Sequence, residues 1–407
     1  MTVLHARQVR ALRIAVATGV VAALILPLGI AAAWNQLLDS RASTTVATGG
    51  ITIPNTPAAL MAAIGEGGQL SHVVVATLAA NGVGGTVVLL PIGAATETTQ
   101  LDDQPASAAK NASAAEPPRR LADVYATDGL GGLANEVQGL LDVSFVAVGA
   151  LARGELINLF APMGGVDVLL DREVVTLAVD GTPTKLADVG QATYPIDRVV
   201  DILLARSAKE KESVRFSRHR EVWNGIVQRV GGGLEIAPEV DTTPAGLADV
   251  TNFMRRVFGG ALQVWQLSAA PILDTKTNPK RADLYSLDRA EVVMVFASVA
   301  PSALSVGDVA LSVLIDSPFN DPVVSRAAVA AILDAGFGVA VMREISAQET
   351  TTSVVAGDPE VAEALSGLLA GTLGELETRE WAAKITGVDA AITLGTSFAD
   401  LVRNGGR

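Results

Sequence analysis

The stretch "LANEVQGLLDVSFVAVGALARGELINLFAPMGGVDVLL", Leu133 to Leu170, changes its hydrophobic period repeatedly. Helical spacing around Leu130 to Leu141 gives way to the β-branched run "VSFVAV" at Val143 to Val148, and a second helix runs to about Phe160. After Gly164-Gly165 the segment "VDVLL" predicts another strand. A chain that switches between helix and strand over such short distances buries helices against a sheet, so this stretch predicts an α/β layered domain.

The same alternation extends on both sides. Upstream, "HVVVATL" and "TVVLLP" predict two central strands joined at Asn81-Gly82, where a hairpin needs positive φ. Between Thr96 and Pro118 the Pro/Ser/Ala-rich composition predicts a mobile loop, an insertion or a domain boundary. Downstream, past a turn at Asp180-Gly181, "IDRVVDILLARS", "RFSRHREVWNGIVQRV" and "GLADVTNFMRRVF" predict three helices. Strands near Val264 and at Val292 to Phe296 are expected to close this domain, over residues 56–300. A second unit over 305–407 opens with the strand "DVALSVLID" and a helix N-capped by Asp321, with Pro322 in its first turn and Gly336 at its stop. Its order predicts a small α/β module of βαββαβ type.

At the amino terminus, Ile14 to Trp34 carry no charge over 21 residues, which as a helix rise about 30 Å, the thickness of a bilayer core. Arg7, Arg10 and Arg13 precede this run and no Lys or Arg follows before Arg41. The positive-inside bias therefore predicts a cytoplasmic tail over 1–13, a membrane span over 14–34, a linker over 35–55 and an extracytoplasmic body. A signal peptide cleaved near Ala31 to Ala33 is the competing expectation, and it also exports the body. With 43 acidic against 30 basic residues the chain is a poor general nucleic-acid binder, and without cysteine it has no disulfides or thiolate chemistry.

The signatures of serine hydrolases and nucleotide-binding loops are missing, and His5, His72 and His219 are scattered along the chain. The glycine clusters at Val83 to Gly85 and Gly231 to Gly233 are expected to be turns. Charge, however, is uneven. "KEKESVRFSRHREVW", Lys209 to Trp223, gathers arginines in an acidic protein, with Arg215 and Arg218 three apart on one helix face. Two guanidiniums so placed are suited to one phosphate-type anion. The alternative is a solvated face on which Lys211, Arg215 and Glu212 balance each other.

"RFSRHREVW" and the segment from Leu133 to Leu170 resemble the corresponding helix and helix-strand-helix-strand stretch of the LytR-CpsA-Psr family. "AILDAGFGVAV" and "TTTSVVAGDPEVAEALSGLLAG" resemble the LytR carboxy-terminal domain, so the likeness spans nearly everything after the linker. It implies a layered α-β-α domain that handles glycopolymers on polyprenyl-pyrophosphate carriers. The family places arginines on the pyrophosphate, acids with Mg²⁺, and an apolar pocket around the lipid. Carried over by position, the resemblance puts Arg206, Arg215 and Arg218 on the pyrophosphate and Glu212 near the family's aspartate. Leu204 replaces a family arginine, Ile92 and Gly93 replace an arginine and an acid, and His72 stands where an acid is usual.

Losing a metal site and two arginines removes several contacts worth about 1.5 to 3 kcal/mol each, when about 1.4 kcal/mol is tenfold in rate. The expectation is therefore a divergent, catalytically impaired membrane-anchored envelope protein. It would bind lipid-linked glycan, or assist glycopolymer attachment beside a protein partner, without a cofactor. The alternative is an active glycopolymer-peptidoglycan phosphotransferase using Mg²⁺, with acids such as Asp102 and Asp103. A transcriptional regulator, a third reading, is disfavoured by the expected span and the acidic body.

Overall fold

The computed structural model describes residues 53–96, 119–177, 181–207, 210–235, 240–241, 243–274, 278–305, 311–380 and 387–405. The expected span at 14–34, nearly all of the linker and the loop from residue 97 to 118 lie outside the described residues. Among the described residues no helix is long and apolar enough to cross a membrane. Two compact units emerge, one from Asn55 to Ser305 and one from Val306 onward, and each is mixed α/β.

In the first unit β1 (Ala58–Ile64), β2 (Leu70–Leu78) and β3 (Gly85–Leu90) are followed by α1 (Leu121–Leu141), β4 (Phe145–Ala152), α2 (Arg153–Phe160) and β5 (Gly165–Leu170). Then come β6 (Val174–Leu177), β7 (Pro183–Ala187), β8 (Gly190–Pro195), α3 (Ile196–Leu204), α4 (Glu212–Val230) and α5 (Val250–Phe258). The unit ends with β9 (Leu262–Gln266), β10 (Ala269–Pro271), β11 (Tyr285–Leu287) and α6 (Arg289–Val299).

The central sheet has the order β4-β1-β2-β3-β9. Strand β2 runs antiparallel to both β1 and β3, with Val73 opposite Ala62 and Leu90, while β4 lies parallel to β1 and β9 parallel to β3. Gly82 turns the β2-β3 hairpin at φ 83°, the conformation expected from Asn81-Gly82. Strand β1, "AALMAAI", carries no sequence signal, because alanine has little strand preference. It becomes a strand because two neighbours hydrogen-bond to it and nearly every residue is buried.

Residues of both parities along β1 and β2 are buried, so the sheet is covered on both faces. On one face Met61, Val74, Ala76 and Leu89 share a core with Leu156, Phe160, Val200, Trp223, Ile226 and Phe253 from α2 to α5. Helix α4 approaches β5 so closely that a Cβ on Gly225 would strike the Asp167 carbonyl, which is why this buried helix position carries no side chain. Strands β5 and β8 pair as an antiparallel ribbon continued by the β6-β7 pair.

One expectation is corrected. Val292 to Phe296 form the middle of helix α6, not a strand. The Asp288 side chain caps it by accepting from the Glu291 amide, and Val292 to Ala297 are all buried, so the run lacks the polar stripe that marks a helix in sequence.

The second unit comprises β12 (Ser312–Ser317), α7 (Pro322–Asp334), β13 (Gly338–Glu344), β14 (Thr352–Ala356), α8 (Pro359–Leu373), β15 (Leu376–Glu380), β16 (Ala390–Thr393) and α9 (Thr396–Arg403). Its sheet order is β13-β12-β16-β14-β15. Strand β15 is additional to the expected βαββαβ order and pairs parallel with β14. Asp321 caps α7 through the Val323 and Val324 amides, and Asp358 caps α8 through the Glu360 amide at 2.9 Å. Val324, Ala328, Ala331 and Ile332 are buried on α7, the face anticipated from their spacing.

Candidate functional site

Helix α4 brings most of the candidate residues together. Positions 215, 218, 219, 222, 223 and 226 recur at helical spacing and are all buried against the sheet face that carries His72 and Val74. The arginines singled out in the sequence therefore point inward: Arg215 and Arg218 are each only 5% exposed. Each has its own carboxylate. Arg215 pairs with Glu212, and Arg218 pairs with Glu210 and donates to the Ala205 carbonyl at 2.7 Å.

Glu212 is itself fully engaged. Its Oε2 accepts from Arg215, its Oε1 accepts from the Ile92 amide at 2.9 Å, and its own amide donates to Asp283 Oδ2 at 2.6 Å. Asp283 in turn accepts from the Tyr285 hydroxyl at 2.9 Å. The end of β3, the start of α4 and the approach to β11 are tied into one polar network. Burial, followed by the neighbouring Arg206, brings the Arg215 guanidinium down to about 10, so it is still charged at neutral pH. The Nε–H groups of both buried arginines meet no protein acceptor.

His72 and His219, far apart in sequence, stack edge to face with ring centroids 4.2 Å apart. Trp223 Nε1 donates to His72 Nε2 at 2.8 Å, and because an indole can only donate, the His72 proton resides on Nδ1. Burial first and Arg215 second push His72 down to about 3, and burial with His72, Arg218 and Arg215 nearby holds His219 well below its usual value. Both imidazoles are neutral at pH 7. Nothing in the sequence spacing signalled this pair, since the contact spans 151 positions to Trp223.

Arg206 is different. It is half-buried beyond the end of α3 and among the described residues forms no ion pair, donating only to Gln69 Oε1 at 3.3 Å. It stands in a cavity of about 580 Å³ bounded by the β6-β7 pair and α3. Leu177, Leu186 and Leu204 form the apolar wall, and Arg153, held by Asp201 at 2.6 Å, lies on the polar side.

Among the described residues the donors do not fit the Mg²⁺ that the family resemblance implies; Asp102 and Asp103 lie outside the described residues. Hard divalent ions need several oxygen ligands arranged around them. In the places of the expected acids stand a buried neutral imidazole, His72, and Gly93, and both oxygens of Glu212 are taken by protein donors. Among the described residues no three His, Asp or Glu side chains gather as a metal site. Gly93 has no room for an acid either, because a Cβ there would lie 2.8 Å from the Asp283 carbonyl and 3.2 Å from the Tyr285 ring.

No family model matches the chain, and no curated protein matches it. Among solved structures it is similar to B. subtilis TagV at 12% identity over 59% of this chain and 94% of that one, with a TM-score of 0.40. It is similar to B. subtilis TagT at 13% identity over 63% and 91%, TM-score 0.36. A putative transcription regulator from Eubacterium siraeum DSM 15702 is similar at 12% identity over 61% and 94%, TM-score 0.41.

Proposed function

We propose that this chain is an envelope protein of the LytR-CpsA-Psr type that binds a polyprenyl-pyrophosphate-linked glycan without transferring it. The observation that carries the reading is the contrast among the three arginines. Arg215 and Arg218 are neutralised by Glu212 and Glu210, while Arg206, with no carboxylate partner among the described residues, opens into a half-apolar groove. The groove has a leucine wall, the Arg206 guanidinium with no ion pair among the described residues, and the Glu66 carboxylate at its edge; an amphipathic molecule with an anionic head suits it where that head meets Arg206. We place the membrane anchor at Ile14 to Trp34 and the body outside the cytoplasm, a reading supported by the sequence alone.

Transfer would require charge stabilisation at the leaving pyrophosphate, and among the described residues the donors near α4 offer no divalent cation a seat. Polyprenyl pyrophosphate should therefore bind equally well in Mg²⁺ and in EDTA, and Arg206→Ala should weaken it by about tenfold to a hundredfold, the range of one charge-assisted hydrogen bond. Absence of binding by the parent protein would sink the binding reading. Strong Mg²⁺ dependence, or transfer of glycan to peptidoglycan, would put an active transferase in its place.

A further inference from the structure

We infer that the loop between β10 and β11 is a membrane-contact site, at which Leu273 enters an anionic bilayer surface while Lys280 and Arg281 meet the lipid phosphates. The loop is built to hold one shape. Asn278, 3% exposed, donates its Nδ2 to the carbonyls of Ile272 at 3.0 Å and Ala282 at 2.8 Å, and its Oδ1 accepts from the Ala282 amide at 2.8 Å. Its own amide donates to the Asp274 carbonyl at 2.7 Å, and its carbonyl accepts from the Arg281 amide at 3.0 Å. Two carbonyls held by one side-chain nitrogen bring Ile272 beside Ala282, so the next residues outward, Leu273 and Arg281, stand together at the rim. Beneath them the Ile272 amide donates to the Leu284 carbonyl at 2.9 Å, continuing the β10-β11 pair.

The rim opposes the character of the whole chain, in which 43 acids outnumber 30 bases. Between Ile272 and Ala282 the sequence carries Asp274 as its one acid against Lys276, Lys280 and Arg281. Leu273, at 80%, is the most exposed large apolar side chain among the described residues, and the exposed Lys280 and Arg281 side chains have no partner among them. Arg281 also sits at φ 47°, in the left-handed region that favours glycine. Its amide bond to Asn278 is one that any residue but proline could make, so the fold itself does not account for an arginine there. A partner that takes both kinds of side chain does. A bilayer with anionic headgroups offers phosphates and, a few ångströms deeper, acyl chains. An acidic polymer would pair with the two cations and leave Leu273 in water, and an apolar protein groove would take Leu273 and strand the cations. The inference rests on the anchor read at Ile14 to Trp34: residues 35–55 reach about 70 Å when extended, so any side of the first unit can meet the bilayer and surface chemistry selects which. It shares no residue with the Arg206 groove.

Because the chain has no cysteine, Ala282→Cys, an exposed position at the rim, provides a single thiol for an environment-sensitive NBD label. The labelled full chain is placed in phosphatidylcholine vesicles with or without phosphatidylglycerol, each carrying a nitroxide-tailed lipid as quencher. With phosphatidylglycerol the emission should shift to the blue and be quenched, and both effects should fade in phosphatidylcholine alone or in raised salt. Lys280→Gln with Arg281→Gln should lower the ratio of docked to undocked loop by about twenty-fivefold, about fivefold for each cation. Leu273→Ser should remove the blue shift. All these side chains are exposed, so circular dichroism and polyprenyl-pyrophosphate binding should stay parental. Flotation with the vesicles reads the anchor by itself: a chain that floats while its label remains in water overturns the inference and leaves the anchor standing, and a chain that does not float overturns both. Equal quenching in the two vesicle types, or quenching indifferent to both variants, would also overturn it. So would the same emission change on adding dextran sulfate to phosphatidylcholine vesicles, which would assign the loop to a soluble polyanion.

Discussion

Glu212→Ala removes the partner of a guanidinium that is 5% exposed and, in the same step, the acceptor of the Ile92 amide. Leaving one member of a buried ion pair uncompensated costs about 3 to 5 kcal/mol. The orphaned amide adds about 1 to 3 kcal/mol. The two overlap, since the variant's void admits water to both groups, so a loss in the lower half of the summed range, about 4 to 6 kcal/mol, is expected. That is a large share of the stability of an ordinary domain. Removing both charges together, as Glu212→Leu with Arg215→Met, should cost less than Glu212→Ala alone, because no bare charge is left inside. Hydrogen exchange of the peptide covering residues 212–230 in rising urea is the suitable assay, as it reads the first of two compact units by itself. Sodium acetate, whose size matches the deleted carboxylate group, should restore part of the loss in Glu212→Ala by supplying the missing negative charge. A loss within about 1 kcal/mol, the range of a surface pair, would refute the reasoning and return Arg215 to a solvated helix face.

Acid should destabilise this unit through its histidines. His72 and His219 are held below their ordinary value of 6.5 in the folded state, so below that pH the unfolded chain takes up protons that the native one does not, and stability falls as pH drops from 6.5 towards about 3. The slope should approach about 1.4 kcal/mol per pH unit for each histidine, and His219→Phe should reduce it by about one proton in urea midpoints measured between pH 7 and 5; an unchanged slope would contradict the buried neutral pair. For topology, a reporter fused after Arg407 should be active only outside the cytoplasm, and a cytoplasmic signal would refute the anchor placed at 14–34.

Local order alone determined the α/β character of the chain. The Asp321 and Asp358 caps, the Asn81-Gly82 turn and the strand runs of β2, β3 and β5 are short-range signals, decided within a few residues by backbone preference and hydrophobic period. Elements whose state depends on neighbours were not legible. The alanines of β1 form a strand because β2 and β4 flank them, and Val292 to Phe296 form a helix although β-branched residues on every side suggest a strand. The site divides in the same way. Spacing placed Arg215 and Arg218 on one face of one helix, and composition marked the stretch as basic. Whether that face meets water is a tertiary matter. The fold packs α4 against the sheet, so the guanidiniums lose solvent and must be matched by Glu212 and Glu210, while Arg206, past the end of α3, has no ion pair among the described residues. The His72-His219-Trp223 contact joins strand β2 to α4 across 151 positions, and no local preference encodes a distance that only chain folding closes.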